Sequence, residues 1–112
     1  MSVITFIAHL RVNPENAAAF EELMTDVVAM THKHEPGVVY YEFAKSVDEA
    51  NTYVVIEVYK DLESQAAHMA STWVRSSLPV SARLIEGRPH ISQYVSNGSE
   101  PVLQRMFPGQ PT

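Results

Sequence analysis

With 112 residues, 46% of them hydrophobic, the chain can build one domain with a core but is short for an enzyme that encloses its substrate alone, so a homo-oligomer is expected. A net charge of −5 with no Lys/Arg cluster argues against nucleic acid or an anionic membrane as the main partner. There is no cysteine, hence no disulfide framework or thiolate metal site, and no apolar stretch long enough to span a bilayer.

The N-terminus, Met1-Ser2-Val3-Ile4-Thr5-Phe6, lacks the basic flank and long apolar run of a signal peptide and reads as a first strand, so the cytoplasm is the expected location. That strand runs from Val3 to Val12 and stops at Asn13-Pro14, where Asn13 can cap a helix and Pro14 suits its first position. Phe20, Leu23, Met24, Val27, Val28 and Thr31 recur at helical spacing. His32, Lys33 and His34 suit the helix C-terminus before Pro36-Gly37 ends it. A hairpin follows, with strands at about Val38 to Lys45 and Thr52 to Lys60 around the polar turn from Ser46 to Asn51. In the second of these, Val54, Ile56 and Val58 alternate with Tyr53, Val55, Glu57 and Tyr59. The aliphatic set is expected to meet the helices and the mixed set to meet a second sheet.

Asp61 caps a second helix whose Leu62, Ala66, Met69, Ala70 and Trp73 share a face, with Trp73 in the core. Pro79, after Ser76 and Ser77, is expected to break that helix or restart it as a short segment ending near Gly87. A fourth strand spans His90 to Ser96. The order β-α-β-β-α-β over residues 1–97 is the split arrangement of a ferredoxin-like α+β fold, with both helices on one face of an antiparallel sheet. Residues 98–112 carry Val102, Leu103, Met106 and Phe107 among Pro, Gly and polar residues, as an arm that docks on a partner subunit would.

Few residues offer chemistry. Glu57, amid Ile56, Val58 and Tyr59, has a carboxyl whose pKa desolvation would raise; it can take a proton from a phenol or enol, orient His68, or serve as a structural glutamate bonded to Tyr, His or Arg. His68 can act as general base or orienting donor, although helical spacing sets it off the apolar stripe, beside Asp61, Ser64 and Gln65, where a solvated histidine is the plain alternative. Tyr40, Tyr41, Tyr53 and Tyr59 can line a pocket or simply pack a sheet interface. His9 can enter the cavity or be a satisfied structural histidine. His32-x-His34 with Glu35 supplies at most weak metal binding, since no further ligand is evident. Phosphate-loop, nucleophile-elbow and cysteine-nucleophile motifs are absent.

Glu35-Pro36-Gly37 with Tyr41 four residues after the glycine, the Tyr53 to Tyr59 strand around Glu57, Asp61, and His68-Met69-Ala70-Ser71 together resemble the antibiotic biosynthesis monooxygenase superfamily of dimeric α+β barrels. The likeness covers roughly Val3 to Val95. It implies a homodimer with one pocket per subunit between sheet and helices, and oxygenation of quinols or anthrones without metal, flavin or other cofactor. On that reading Glu57 and His68 are the catalytic pair, while Tyr41, Tyr53, Tyr59 and His9 contact the substrate. Haem-degrading members differ: the first-strand region here holds Ile7 and His9, and His68 stands where those members carry a Trp. Tyr59 and Val55 replace the Trp and Asn of anthrone oxygenases, which leaves the quinol oxygenases and the autoinducer-processing group closer. An isomerase acting on a small metabolite with the same acid and base, or a non-catalytic dimeric binding module, are the rival readings.

Overall fold

A computed structural model of the protein describes residues 3–96. The expected C-terminal arm lies outside them. The elements are β1 (Ile4–Arg11), α1 (Pro14–His34), β2 (Val38–Lys45), β3 (Thr52–Tyr59), α2 (Leu62–Ala70), α3 (Thr72–Leu84) and β4 (His90–Val95). The strands form one antiparallel sheet in the order β2-β3-β1-β4. The fold is ferredoxin-like, with the second helical segment divided in two.

The division falls at Ser71 rather than at Pro79. Ser71 ends α2 by donating its hydroxyl to the His68 carbonyl at 2.7 Å, and it starts α3 by accepting from the Val74 N–H. Pro79 sits inside a continuous α3 on its exposed side, where water can take the carbonyl that proline leaves unbonded. This break also undoes the stripe expected from Leu62 to Trp73, because Trp73 belongs to the next helix. Leu62 is exposed, and α2 instead buries Gln65 and His68, three residues apart on one side.

The faces of β3 are the reverse of the expectation. Tyr53, Val55, Glu57 and Tyr59 are buried beneath the helices, while Val54, Ile56 and Val58 lie on the outer face. The reason lies in β1, which buries Ile4, Phe6, Ala8 and Leu10 and turns Thr5, His9 and Arg11 outward. Burying Phe6 or Leu10 stabilises by roughly 1.5–3 kcal/mol each, so β1 sets its own facing. Its antiparallel register pairs Ile4 with Tyr59 and Phe6 with Glu57, and directly paired residues share a face, so the Tyr/Glu set must follow inward.

Phe20, Met24 and Val27 of α1 and Val74 of α3 close the core above Ala8, Leu10, Tyr41, Tyr53 and Val55. Asp61 caps α2, accepting from the Ser64 N–H and hydroxyl at 2.8 and 2.6 Å, and these bonds hold its carboxyl below the usual carboxylate range. The same Ser64 explains Gly37. A Cβ at that position would lie 2.1 Å from the Ser64 hydroxyl oxygen, so only glycine lets the start of β2 pass this close to α2.

Candidate active site

Two carboxyls, an imidazole and two phenols, groups rarely left without solvent, meet under α2. His68 is 1% exposed. Its Nδ1 lies 3.0 and 3.1 Å from the two carboxylate oxygens of Glu35, the residue that ends α1. Trp73, from the first turn of α3, donates its indole N–H to the same carboxylate at 2.7 Å. An ionised carboxylate only accepts, so the proton of the neutral imidazole belongs on Nδ1 and leaves Nε2 as a base. Burial lowers the His68 pKa, and the charge and hydrogen bond of Glu35 oppose that shift without cancelling it. His68 is therefore neutral at pH 7, with its tautomer fixed.

Glu57 is the second carboxyl. Tyr59, two residues on and on the same face, donates its hydroxyl to it. Burial pushes the Glu57 pKa up to about 7, the Tyr59 hydrogen bond pulls against that rise, and the charge of Glu35 adds to it. Near neutral pH Glu57 can either give or take a proton. Tyr41 stands beside it on β2, paired directly with Glu57, and its ring lies 4.7 Å from that of His68. Burial first, then the charges of the two glutamates, hold Tyr41 well above its ordinary pKa, and Tyr59 is raised by burial and by Glu57. Both phenols remain neutral donors.

Three of these groups face an internal cavity of about 40 Å³. Tyr41, Glu57 and His68 form one end of it, Met24, Val55 and Met69 belong to its apolar walls, and Ser77 and Ser81 of α3 also line it. A wider surface cleft of about 430 Å³ lies outside, between Glu35, Lys60 and Ser64. The cleft is the larger space, but the ionisable groups kept from water face the small cavity, which makes the cavity the candidate site. Glu35 lines the cleft and reaches the cavity only through His68, whose Nδ1 it holds.

Of the residues singled out in the sequence, Glu57, His68, Tyr41 and Tyr59 are brought together. Tyr53 is not. It lies further along β3, donates its hydroxyl to Glu21, packs on Phe20 and does not line the cavity; burial and Glu21 raise its pKa to about 12. His9 is not in the site either, because the parity of β1 turns it outward, exposed, opposite His90. His32 bonds to the Tyr41 carbonyl at 2.9 Å and His34 stacks on Trp73, and among the described residues no cluster of three potential metal ligands occurs.

The chain matches the antibiotic biosynthesis monooxygenase family over residues 3–78. It belongs to that family. A protein of Caulobacter crescentus CB15 assigned by inference to the antibiotic biosynthesis monooxygenases is similar at 27% identity and a TM-score of 0.79, over 83% of this chain and 88% of that one. A conserved protein of Methanosarcina mazei Go1 shares the fold at 22% identity and a TM-score of 0.78, over 84% and 92% of the two chains. So does a Nitrosomonas europaea protein with the same inferred assignment, at 20% identity and a TM-score of 0.78, over 86% and 91%. No curated protein matches. Among the described residues no helix is long and apolar enough to cross a membrane.

The hydrogen bonds to His68 and Trp73 bring out Glu35 and Trp73, whose part in the site sequence reasoning missed. In the sequence Glu35 stands out only beside His32-x-His34 and in the Glu35-Pro36-Gly37 likeness, and Trp73 only as a core residue. A signal for Glu35 was present: a carboxylate at the negative end of a helix macrodipole is unfavourable, so a glutamate there calls for a compensating partner. Here the partners are His68 and Trp73.

Proposed function

We propose that the protein is a cofactor-independent monooxygenase of a small electron-rich aromatic, a quinol above all. The observation that carries this reading is the buried pair formed by His68, its tautomer held by Glu35, and Glu57, poised near neutrality, at one end of an apolar cavity. A quinol that loses a proton to His68 Nε2 or to Glu57 becomes an anion able to reduce dioxygen itself. The protein's part is to bind the ring, exclude water and stabilise the anion with the neutral hydroxyl of Tyr41. One oxygen atom of O₂ then joins the ring, and the O–O bond breaks with release of the other atom as water. The two electrons beyond those of a simple hydroxylation come from oxidation of the quinol to the quinone level.

A cavity of about 40 Å³ is the size of one or two water molecules. Binding a ring requires Met24, Met69 and Leu78 to repack, and the unbranched thioether side chains of methionine suit that task. In an oxygen-electrode assay of metal-stripped protein with naphthoquinols, uptake above autoxidation is expected, falling by about 10²-fold or more in His68→Ala. Uptake equal in wild type and variant would sink the assignment of His68. No uptake with any quinol would favour an isomerase or a binding module.

The working unit we propose is a homodimer that joins outer sheet faces. Ile7, Val54, Ile56 and Val58 form a continuous apolar band there, flanked by Tyr40 and Tyr94, which are 47% and 51% exposed. Light scattering should give a dimer for the wild type and a folded monomer for Ile7→Lys/Ile56→Glu. A monomeric wild type at micromolar concentration would refute this arrangement.

A further inference from the structure

The acid–base groups occupy one end of the cavity, yet its α3 wall carries two hydroxyls that the proposed proton transfer does not use. Ser77 and Ser81 lie one helical turn apart, 8% and 7% exposed, and both line the cavity. The Ser77 hydroxyl donates to the Val74 carbonyl at 2.7 Å, which leaves its oxygen free to accept. The Ser81 hydroxyl carries a proton of its own and can donate it to a ligand oxygen. A serine in a helix often bonds back to its own turn, which accounts for Ser77 but not for a second serine facing the same apolar space.

Topology places these hydroxyls away from Glu57 and His68. The backbone bridge between Val12 and Ile85 fixes the end of α3 at the far end of β1. The start of α3 is fixed at Ser71, three residues past His68. From Val74 to Ser81 the helix rises on the order of 10 Å. On the sheet, Glu57 pairs with Phe6, and Leu10, four residues further along β1, is on the order of 13 Å away. Between the two polar ends the walls are apolar, with Ala8, Val55, Met69 and Val74. That span suits one aromatic ring system with a hydrogen-bonded oxygen at each of two opposite edges, each bond adding about 2.7 Å.

We propose that Ser77 and Ser81 determine specificity by binding a second oxygen of the substrate, at the edge opposite the oxygen that Glu57 and His68 deprotonate. The substrate class is then a flat aromatic oxygenated at both ends, and a ring with a single oxygen is the poor ligand. This inference rests on the acid–base reading of the site, but its test does not need turnover.

The test is equilibrium binding without oxygen, by calorimetry, of 1,4-naphthoquinol and 1-naphthol to the wild type and to Ser77→Ala/Ser81→Ala. Alanine favours a helix more than serine does, so the variant is expected to fold. The wild type should bind the quinol about ten-fold more tightly than the naphthol. In the variant that ratio should fall to within about two-fold of unity, with naphthol affinity unchanged. A wild-type ratio near one, a ratio unaltered by the two substitutions, or no binding of either compound overturns the proposal. A preserved and serine-dependent ratio in a protein that consumes no oxygen would instead overturn the oxygenase reading and leave the serine assignment standing.

Discussion

Glu35→Gln should lower turnover by about 10²- to 10⁴-fold while leaving the fold intact. The argument is one of donors and acceptors. Trp73 can only donate, and it donates to the Glu35 carboxylate together with His68 Nδ1. In the variant Trp73 claims the single amide oxygen, so the amide NH₂ is turned toward His68. Its partner must then be an unprotonated Nδ1, which moves the imidazole proton to Nε2 and removes the base from the reacting side. Nitrogen chemical shifts of the His68 ring would report the tautomer directly. Adding Trp73→Phe to Glu35→Gln frees the amide oxygen to accept from His68 again, and part of the activity should return. A merely structural role for Glu35 predicts no such rescue. The pH profile moves too. Glu35 raises the His68 pKa against the larger lowering by burial, so its removal shifts the acid limb of the rate to lower pH. A Glu35→Gln protein within about three-fold of wild-type turnover would remove Glu35 from the mechanism.

Glu57→Gln should reverse its effect on stability with pH. The Glu57 carboxyl is raised from 4.5 to about 7, mainly by burial. Below the unfolded value it is protonated in both states and costs nothing. As pH rises toward 7 the unfolded chain ionises first, and the folded protein progressively loses a contribution of about 3 kcal/mol, lost in full above the folded value. Glutamine has no proton to lose, and its oxygen can still accept from Tyr59. Denaturant unfolding should therefore show the variant gaining about 3 kcal/mol on the wild type between pH 4.5 and pH 8.5. The same substitution removes a proton acceptor from the cavity, so turnover falls as stability at high pH rises, the usual trade at a strained site. A stability difference that does not change with pH would mean that Glu57 is not held protonated by burial.

Element order and strand alternation were legible because local patterns set them. The first strand, the Phe20 to Thr31 stripe and the Asp61 cap all appear in the structure where the residues put them. The direction in which β3 faces was not legible. Within β3 alone, Val54, Ile56 and Val58 make the better core face, and only pairing with β1 shows that Glu57 and Tyr59 must go inward. His9 was misplaced through the same parity. His68 looked solvated because the stripe used to judge it ran through Ser71 into another helix. Glu35 and Trp73, 38 residues apart, meet only when α1 and α3 pack beside one another, a contact that no local spacing encodes.

The decisive experiment is a single turnover of metal-stripped protein with 1,4-naphthoquinol under ¹⁸O₂, analysed by mass spectrometry. The account predicts one ¹⁸O atom in the hydroxylated quinone and the other in water, with labelled product lost in His68→Ala. Unlabelled quinone with hydrogen peroxide, or an isomer formed without oxygen uptake, would contradict it.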